Sequence, residues 1–281
     1  MTTFEILLQQ IGLFVIYILA GVILVRTKVL NRETLEPISK FVIKMALPVM
    51  IFINIIDGVN KEILTGSWSI LLIAAGFYAV MFLVSFGMMK FFHLSEDRAG
   101  ICQAMMLFGN IGFMAVPVIS SVFPGNGILY VSVFMVFDQL MLWTLGVKLT
   151  TPTRSGGFEL KKLINPATVA ILIGMLLMLT GVRIPALLDT GLQKIGATAS
   201  PLAMIYIGGI FAELPLKKYL KEFSLYGIVL VRMLLAPILM FFVLRFFPVG
   251  AEIRLAMALI TGMPTMTAVV MMANASGMDG E

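Results

Sequence analysis

Nine stretches of this chain are each long and apolar enough to cross the hydrocarbon core of a bilayer, and nothing else in the sequence limits the fold as severely. A crossing helix needs about 20 predominantly apolar residues. Runs of that kind fall at 5–25, 37–57, 67–90, 98–120, 127–149, 166–183, 186–212, 223–246 and 253–274. Lipid offers no water to the backbone, so only helices and closed barrels can span it. Barrel strands are about 10 residues of alternating polarity, half the length of these runs. The expectation is an all-α integral membrane protein that has the lipid bilayer as its solvent. Composition agrees, since the 281 residues are 60% hydrophobic and 12% charged, against about 45–50% and about 25% in soluble domains. The 22 Met and 21 Phe suit a helical bundle packed in lipid.

In a soluble chain the formal charge of +5 would suggest nucleic acid. Here the basic residues lie in short loops, where they set topology and imply no nucleic-acid partner. The odd-numbered loops hold twelve of them: Arg26, Lys28 and Arg32; Lys90 and Arg98; Lys148, Arg154, Lys161 and Lys162; Lys217, Lys218 and Lys221. The even loops hold four, Lys61, Arg183, Arg245 and Arg254. That bias predicts cytoplasmic odd loops and an extracytoplasmic N-terminus in a multi-pass protein of the cell (plasma) inner membrane. Glu5 stands where a signal peptide would carry a basic region, and the first span runs on without a small-residue cleavage site. Cys102 is the single cysteine, so no intrachain disulfide forms, and the lone His93 excludes an all-His metal site.

The longest hydrophilic connection contains Pro152, Ser155, Gly156 and Gly157 and reads as a cytoplasmic linker over 150–165. It separates a first repeat, 1–149 with five spans, from a second, 166–281 with four. Five spans per half would give an inverted repeat. The second span of each half is expected to break at a proline, Leu47-Pro48 and Ser200-Pro201. In the fourth span of each half the break is richer: Gly109-Asn110-Ile111-Gly112 through Pro117, and Thr261-Gly262-Met263-Pro264-Thr265. Prolines in the two halves lie 153 residues apart (Pro48, Pro201) and 147 apart (Pro117, Pro264), so the repeat is structural and not strict in sequence. The second half is one span short of symmetry, and the expectation is a truncation before a tenth helix.

A helix opens at membrane depth only where protein or a wet cavity covers the loosened backbone. Gly109 and Gly112 lower the cost of nonhelical backbone, and Pro117 frees the carbonyl four residues before it. The restarting helix offers N–H groups and partial positive charge, which suit an anion; the section before the break offers carbonyls, which suit a cation. Asn110 brings both an acceptor and a donor amide. The matching break places Gly262 and Pro264 among Thr261, Thr265 and Thr267. A packing kink is the plain alternative, and the pairing of two breaks argues against it. Halfway along the fifth span stand Asp138 and Gln139, and Arg232 lies inside the eighth. A carboxylate there is costly unless paired or wet. A proton relay, a cation site and a structural ion pair with Arg232 all fit Asp138. Ser95-Glu96-Asp97 reads as a helix cap, Met105-Met106 and Met271-Met272 as packing, and Gly208-Gly209 as a close helix contact, since no P-loop lysine follows.

The chain resembles the auxin efflux carrier family, the bacterial relatives of plant PIN-type exporters that include malonate and malate permeases. The resemblance is carried by Leu47-Pro48-Val49-Met50-Ile51-Phe52, Gly109-Asn110-Ile111-Gly112 through Pro117, Asn165-Pro166, Ser200-Pro201-Leu202-Ala203-Met204 with Gly208-Gly209, Met263-Pro264 with Ala273, and Gly277-Met278-Asp279. It runs in order along essentially the whole chain. It implies a ten-helix inverted-repeat fold shared with bile-acid-type sodium symporters, with the fourth and ninth helices broken and crossing. Spans 1, 2, 6 and 7 would form a scaffold, often a homodimer, and the others a mobile transport domain. The substrate would meet the crossover, here Asn110, Gly112 and Pro117 with Gly262 and Pro264. Against that pattern, the expectation is that the family's tenth helix is missing from this sequence.

The reading is therefore a secondary transporter of a small organic anion, a mono- or dicarboxylate or auxin-like acid, without a cofactor and with proton or sodium coupling open. A sodium-coupled symporter of the bile-acid type and a non-transporting membrane sensor are the alternatives. An intramembrane aspartyl protease needs two carboxylates meeting in the membrane. Asp138 is the single acid well inside a span, while Asp57, Asp189 and Asp279 fall at edges, so no enzyme is expected.

Overall fold

The computed structural model describes residues 3–58, 67–152, 164–214 and 221–278. Among them helices are the regular secondary structure, with one isolated backbone bridge besides. Six helices are long and apolar enough to span a bilayer. They are α1 (Thr3–Arg26), α2 (Arg32–Gly58), α3 (Trp68–Phe91), α6 (Gly127–Leu149), α8 (Ala186–Glu213) and α9 (Phe223–Phe246). The remaining spans are shorter or divided. The fourth is α4 (Glu96–Leu107) followed by α5 (Ile111–Val122), the sixth is α7 (Pro166–Thr180), and the ninth is α10 (Ala251–Thr261) followed by α11 (Thr267–Ala275).

Local chemistry explains several of these boundaries. The helix α7 starts where the Asn165 side chain accepts from the amides of Ala167 and Thr168, both at 3.0 Å, with Pro166 at its first position. It stops at Gly181, whose left-handed φ of 70° closes the last turn. Its 15 residues rise about 22 Å, short of a core about 30 Å thick and shorter than the 166–183 expected. Of the proline breaks expected in the second span of each half, the one at Pro48 does not open and the one near Pro201 amounts to a single residue. In α2 a wide five-residue turn, Val42–Ala46, precedes Pro48, and the helix runs on. Similar wide turns, Ile111–Ala115 and Val231–Leu235, precede Pro117 and Pro237. A proline leaves one carbonyl without its donor, and a longer hydrogen-bonded turn re-aligns the ladder around the gap. In α8 a one-residue turn at Thr198 separates two stretches, and Pro201 lies in the first turn of the second, where no donor is missed.

Two groups of helices emerge. Helix α1 lies along the second stretch of α8, and α7 and the first stretch of α8 pack on α2. Small residues permit this closeness: a Cβ on Gly21 would strike the Ile205 carbonyl, and one on Gly208 the Ile18 carbonyl. Helix α3 packs on α4 and α6, and α9 on α10. Large apolar residues such as Leu8, Ile16, Leu83, Leu172 and Leu239 remain exposed on the outer faces, as lipid-facing positions require. The buried core converges on the two divided spans.

Candidate functional site: the crossing of two divided helices

Each interruption lies about halfway along its span, with 12 residues of α4 before one and 11 of α10 before the other. Phe108 and Met266 both turn extended, with φ/ψ of −102°/115° and −71°/125°. The two opened strands meet antiparallel at Gly109 and Thr265. The Asn110 amide donates to the Pro264 carbonyl at 2.7 Å, and the Met266 amide to the Phe108 carbonyl at 3.0 Å. Gly109, Asn110, Pro264 and Thr265 are thus brought together as a two-bond β contact in a helical protein.

Around this contact the first interrupted helix can be accounted for carbonyl by carbonyl, as buried backbone demands. Ala104 O accepts from the Phe108 amide at 2.9 Å, and Met105 O from the Thr265 hydroxyl at 3.4 Å. Met106 O and Leu107 O both accept from Arg232 Nη1 at 3.1 Å. Gly109 O accepts from the Ile111 amide at 2.8 Å, and Asn110 O from Met114 at 3.0 Å. On the other span the Gly262 and Met263 amides close the end of α10, and Met263 O accepts from Arg232 Nε at 3.4 Å.

Arg232 therefore ties the C-terminal ends of α4 and α10 to each other. It reaches them from the wide turn of α9, is 1% exposed, and sets its guanidinium over the Phe77 ring at 5.4 Å from the centroid. Its Nη2 is buried without a partner, as is Oδ1 of Asn110. The Asn110 side chain makes no capping bond although it precedes α5. Gly112 rests near the Met50 methyl, and Gly262 near the Pro237 ring. Pro117 falls in the second turn of α5, and its side chain lies outside the described residues.

Asp138 and Gln139 belong to an adjacent buried network. Tyr78 donates its hydroxyl to Asp138 Oδ1, Gln139 Nε2 donates to Asp138 Oδ2 at 2.9 Å, and Trp143 Nε1 to Gln139 Oε1 at 3.2 Å. Asp138 is fully buried. It makes no direct bridge to Arg232, whose hydrogen bonds all go to carbonyls. The direct pair considered from the sequence is replaced by two neighbouring networks, joined through the packed rings of Tyr78, Phe77 and Phe108. Tyr78, Phe77 and Trp143 escaped the sequence reading; a tyrosine and a tryptophan deep in apolar spans were the available signal, since each needs a polar partner when buried. Ser95 stands before α4 with an extended backbone but makes no side-chain cap bond.

Two cavities of about 400 and 410 Å³ lie away from the crossing. One is lined by Lys90, Glu96, Gln103 and Lys148, the other by Arg32, Ser39, Tyr206 and Asn274; Met278 borders both. All these residues sit at the end of the bundle that carries the odd loops.

A profile of the family described as membrane transport protein matches the chain over residues 6–158 and 153–281. The chain is also similar to the uncharacterized transporter YfdV of Escherichia coli, with 24% identity over 208 residues, 69% of this chain and 65% of that protein. The protein of the same name in Shigella flexneri matches equally. The chain thus spans slightly less than two thirds of the length of these curated relatives.

Proposed function

This chain belongs to the membrane transport protein family, and from that premise we propose that it is a secondary transporter of a small organic anion, a mono- or dicarboxylate, working by alternating access at the helix crossing. The observation that carries the reading is the buried crossing itself. Two spans give up helical backbone at their midpoints, and a buried donor there, Arg232 Nη2, has no partner. Opened helices at membrane depth are the usual substrate position in transporters with repeated halves. The starts of α5 and α11 bring partial positive charge to the same place, and Nη2 is a cationic donor left over for a carboxylate.

The remainder of the reading follows from it. The five spans of 1–149 and the four of 166–281 act as inverted halves joined by 150–165. The packing of α1, α2, α7 and α8 on one another supports a scaffold, through which two copies would form a homodimer. The other helices move against it. The cavities at the odd-loop end suit a vestibule on the cytoplasmic side, with the N-terminus extracytoplasmic.

The test is counterflow in liposomes reconstituted with the whole chain, using labelled malonate, malate and indole-3-acetate, with and without proton and sodium gradients. Exchange of at least one carboxylate is expected, and exchange of none would overturn the reading. Asn110→Ala should weaken binding of that substrate about ten- to hundredfold, the equivalent of one hydrogen bond to a charged partner, at unchanged thermal stability. Unchanged affinity with a large fall in melting temperature would make Asn110 a packing residue.

A further inference from the structure

In membrane helices that break at mid-span, the carbonyls of the unwound backbone and of the half-helix C-termini are the groups that coordinate a coupling sodium ion. At this crossing those carbonyls are already occupied. Arg232 Nη1 donates to Met106 O and Leu107 O at 3.1 Å each, at the end of α4, and Nε to Met263 O at 3.4 Å, just past the end of α10. We propose that Arg232 is the resident cation of the crossing, filling the seat that a coupling sodium ion would take, so that this transporter cycles without binding sodium there.

Local electrostatics supports the assignment. A helix C-terminus carries about half a negative charge. The carbonyls at two such ends face the guanidinium directly, while the starts of α5 and α11 offset that charge over the crossing as a whole. The neighbouring Asp138 makes no hydrogen bond to the guanidinium, its two oxygens accepting from Tyr78 and Gln139. The seat is also shaped for a planar group. The Phe77 ring covers it at 5.4 Å, and Gly109 leaves space where any side chain would overlap Nη2. A guanidinium offers five donors in a fixed fork, which suits carbonyls arriving from two helix ends.

The consequence for coupling rests on the transporter reading, but the seat is tested without transport. The whole chain, purified in detergent, is melted in sodium, potassium and choline chloride at equal ionic strength. The wild type should melt at one temperature in all three, because a ligand raises stability only by binding the folded state. Arg232→Ala should melt lower, and low-millimolar guanidinium should restore it while choline does not. Arg232→Lys should fall between, keeping the charge but losing the planar fork. Stabilisation of the wild type by sodium over potassium and choline would overturn the proposal. So would Arg232→Ala that melts like the wild type, or one that guanidinium leaves no better than choline. The wild-type arm decides the matter even if the alanine variant fails to fold. In liposomes, any carboxylate counterflow should be unchanged when sodium is replaced by choline. Absence of all counterflow would sink the transport reading and leave the melting result to judge the seat.

Discussion

Gly109→Ala is the substitution that the crossing should tolerate least. An added Cβ would overlap Arg232 Nη2, and would lie 3.1 Å from Cζ and 3.4 Å from Met263 O. The backbone cannot retreat, because the bonds from Asn110 to Pro264 at 2.7 Å and from Met266 to Phe108 at 3.0 Å clamp it on both sides. The guanidinium must swing away instead and give up the carbonyls of Met106, Leu107 and Met263. Hydrogen bonds to a charged group contribute about 1.5–3 kcal/mol each, and the long one to Met263 less. Breaking the set, with the charge left buried, should cost about 3–5 kcal/mol, the range found when one partner of a buried charged pair is removed. Alanine recovers only about 0.5–1 kcal/mol through lower chain entropy. The assay is thermal melting in detergent beside two controls. Gly76→Ala places its Cβ where nothing lies within 4 Å, and Gly112→Ala meets only the flexible end of Met50 at 3.1 Å. Gly109→Ala should melt far below both. In an Arg232→Ala background the same change should add little, since the obstacle is gone. Gly109→Ala melting alongside Gly76→Ala, or an equal loss with and without Arg232, would refute the reasoning.

Other consequences can be checked separately. On a background lacking Cys102, an impermeant thiol reagent outside intact cells should label Thr2→Cys and spare Ser155→Cys; the reverse pattern would invert the topology. Gly208→Val would drive a side chain into the Ile18 carbonyl and should cost about 1–3 kcal/mol as an overpacked contact, read as a lower melting temperature. Asp138→Asn keeps the size of the side chain while removing its charge and proton. It should abolish any dependence of counterflow on a proton gradient at near-normal expression, and a retained dependence would place coupling elsewhere.

Span positions were legible because lipid leaves the chain little choice. An apolar run of membrane length must be helical, and the observed ends of α2, α3, α6, α8 and α9 fall within five residues of the expected ones. The prolines misled for the opposite reason. A proline removes one donor, and a wider turn before Pro48 or a first-turn position for Pro201 absorbs that loss without opening the helix. The expected break survives only where glycine and proline coincide and a second opened strand supplies the missing partners, as Pro264 and Met266 do for Asn110 and Phe108. That partner lies more than 150 residues away, and no local pattern reveals it.

Arg232 shows why the chemistry of the site was harder to read than its place. Formal charges are visible in a sequence, so the search for its partner led to Asp138. Helix ends are charges too, and three carbonyls from two spans hold the guanidinium. Gly109 carries the same lesson. From sequence, its value was conformational freedom, yet among the described glycines positive φ occurs at Gly181 and Gly277 and not at the crossing. Any residue could adopt the backbone of position 109; what none but glycine can do is leave room for Nη2. The glycine and the arginine, 123 residues apart, are therefore one feature. A sequence that replaces the arginine with a smaller residue should lose the steric demand for glycine at the break.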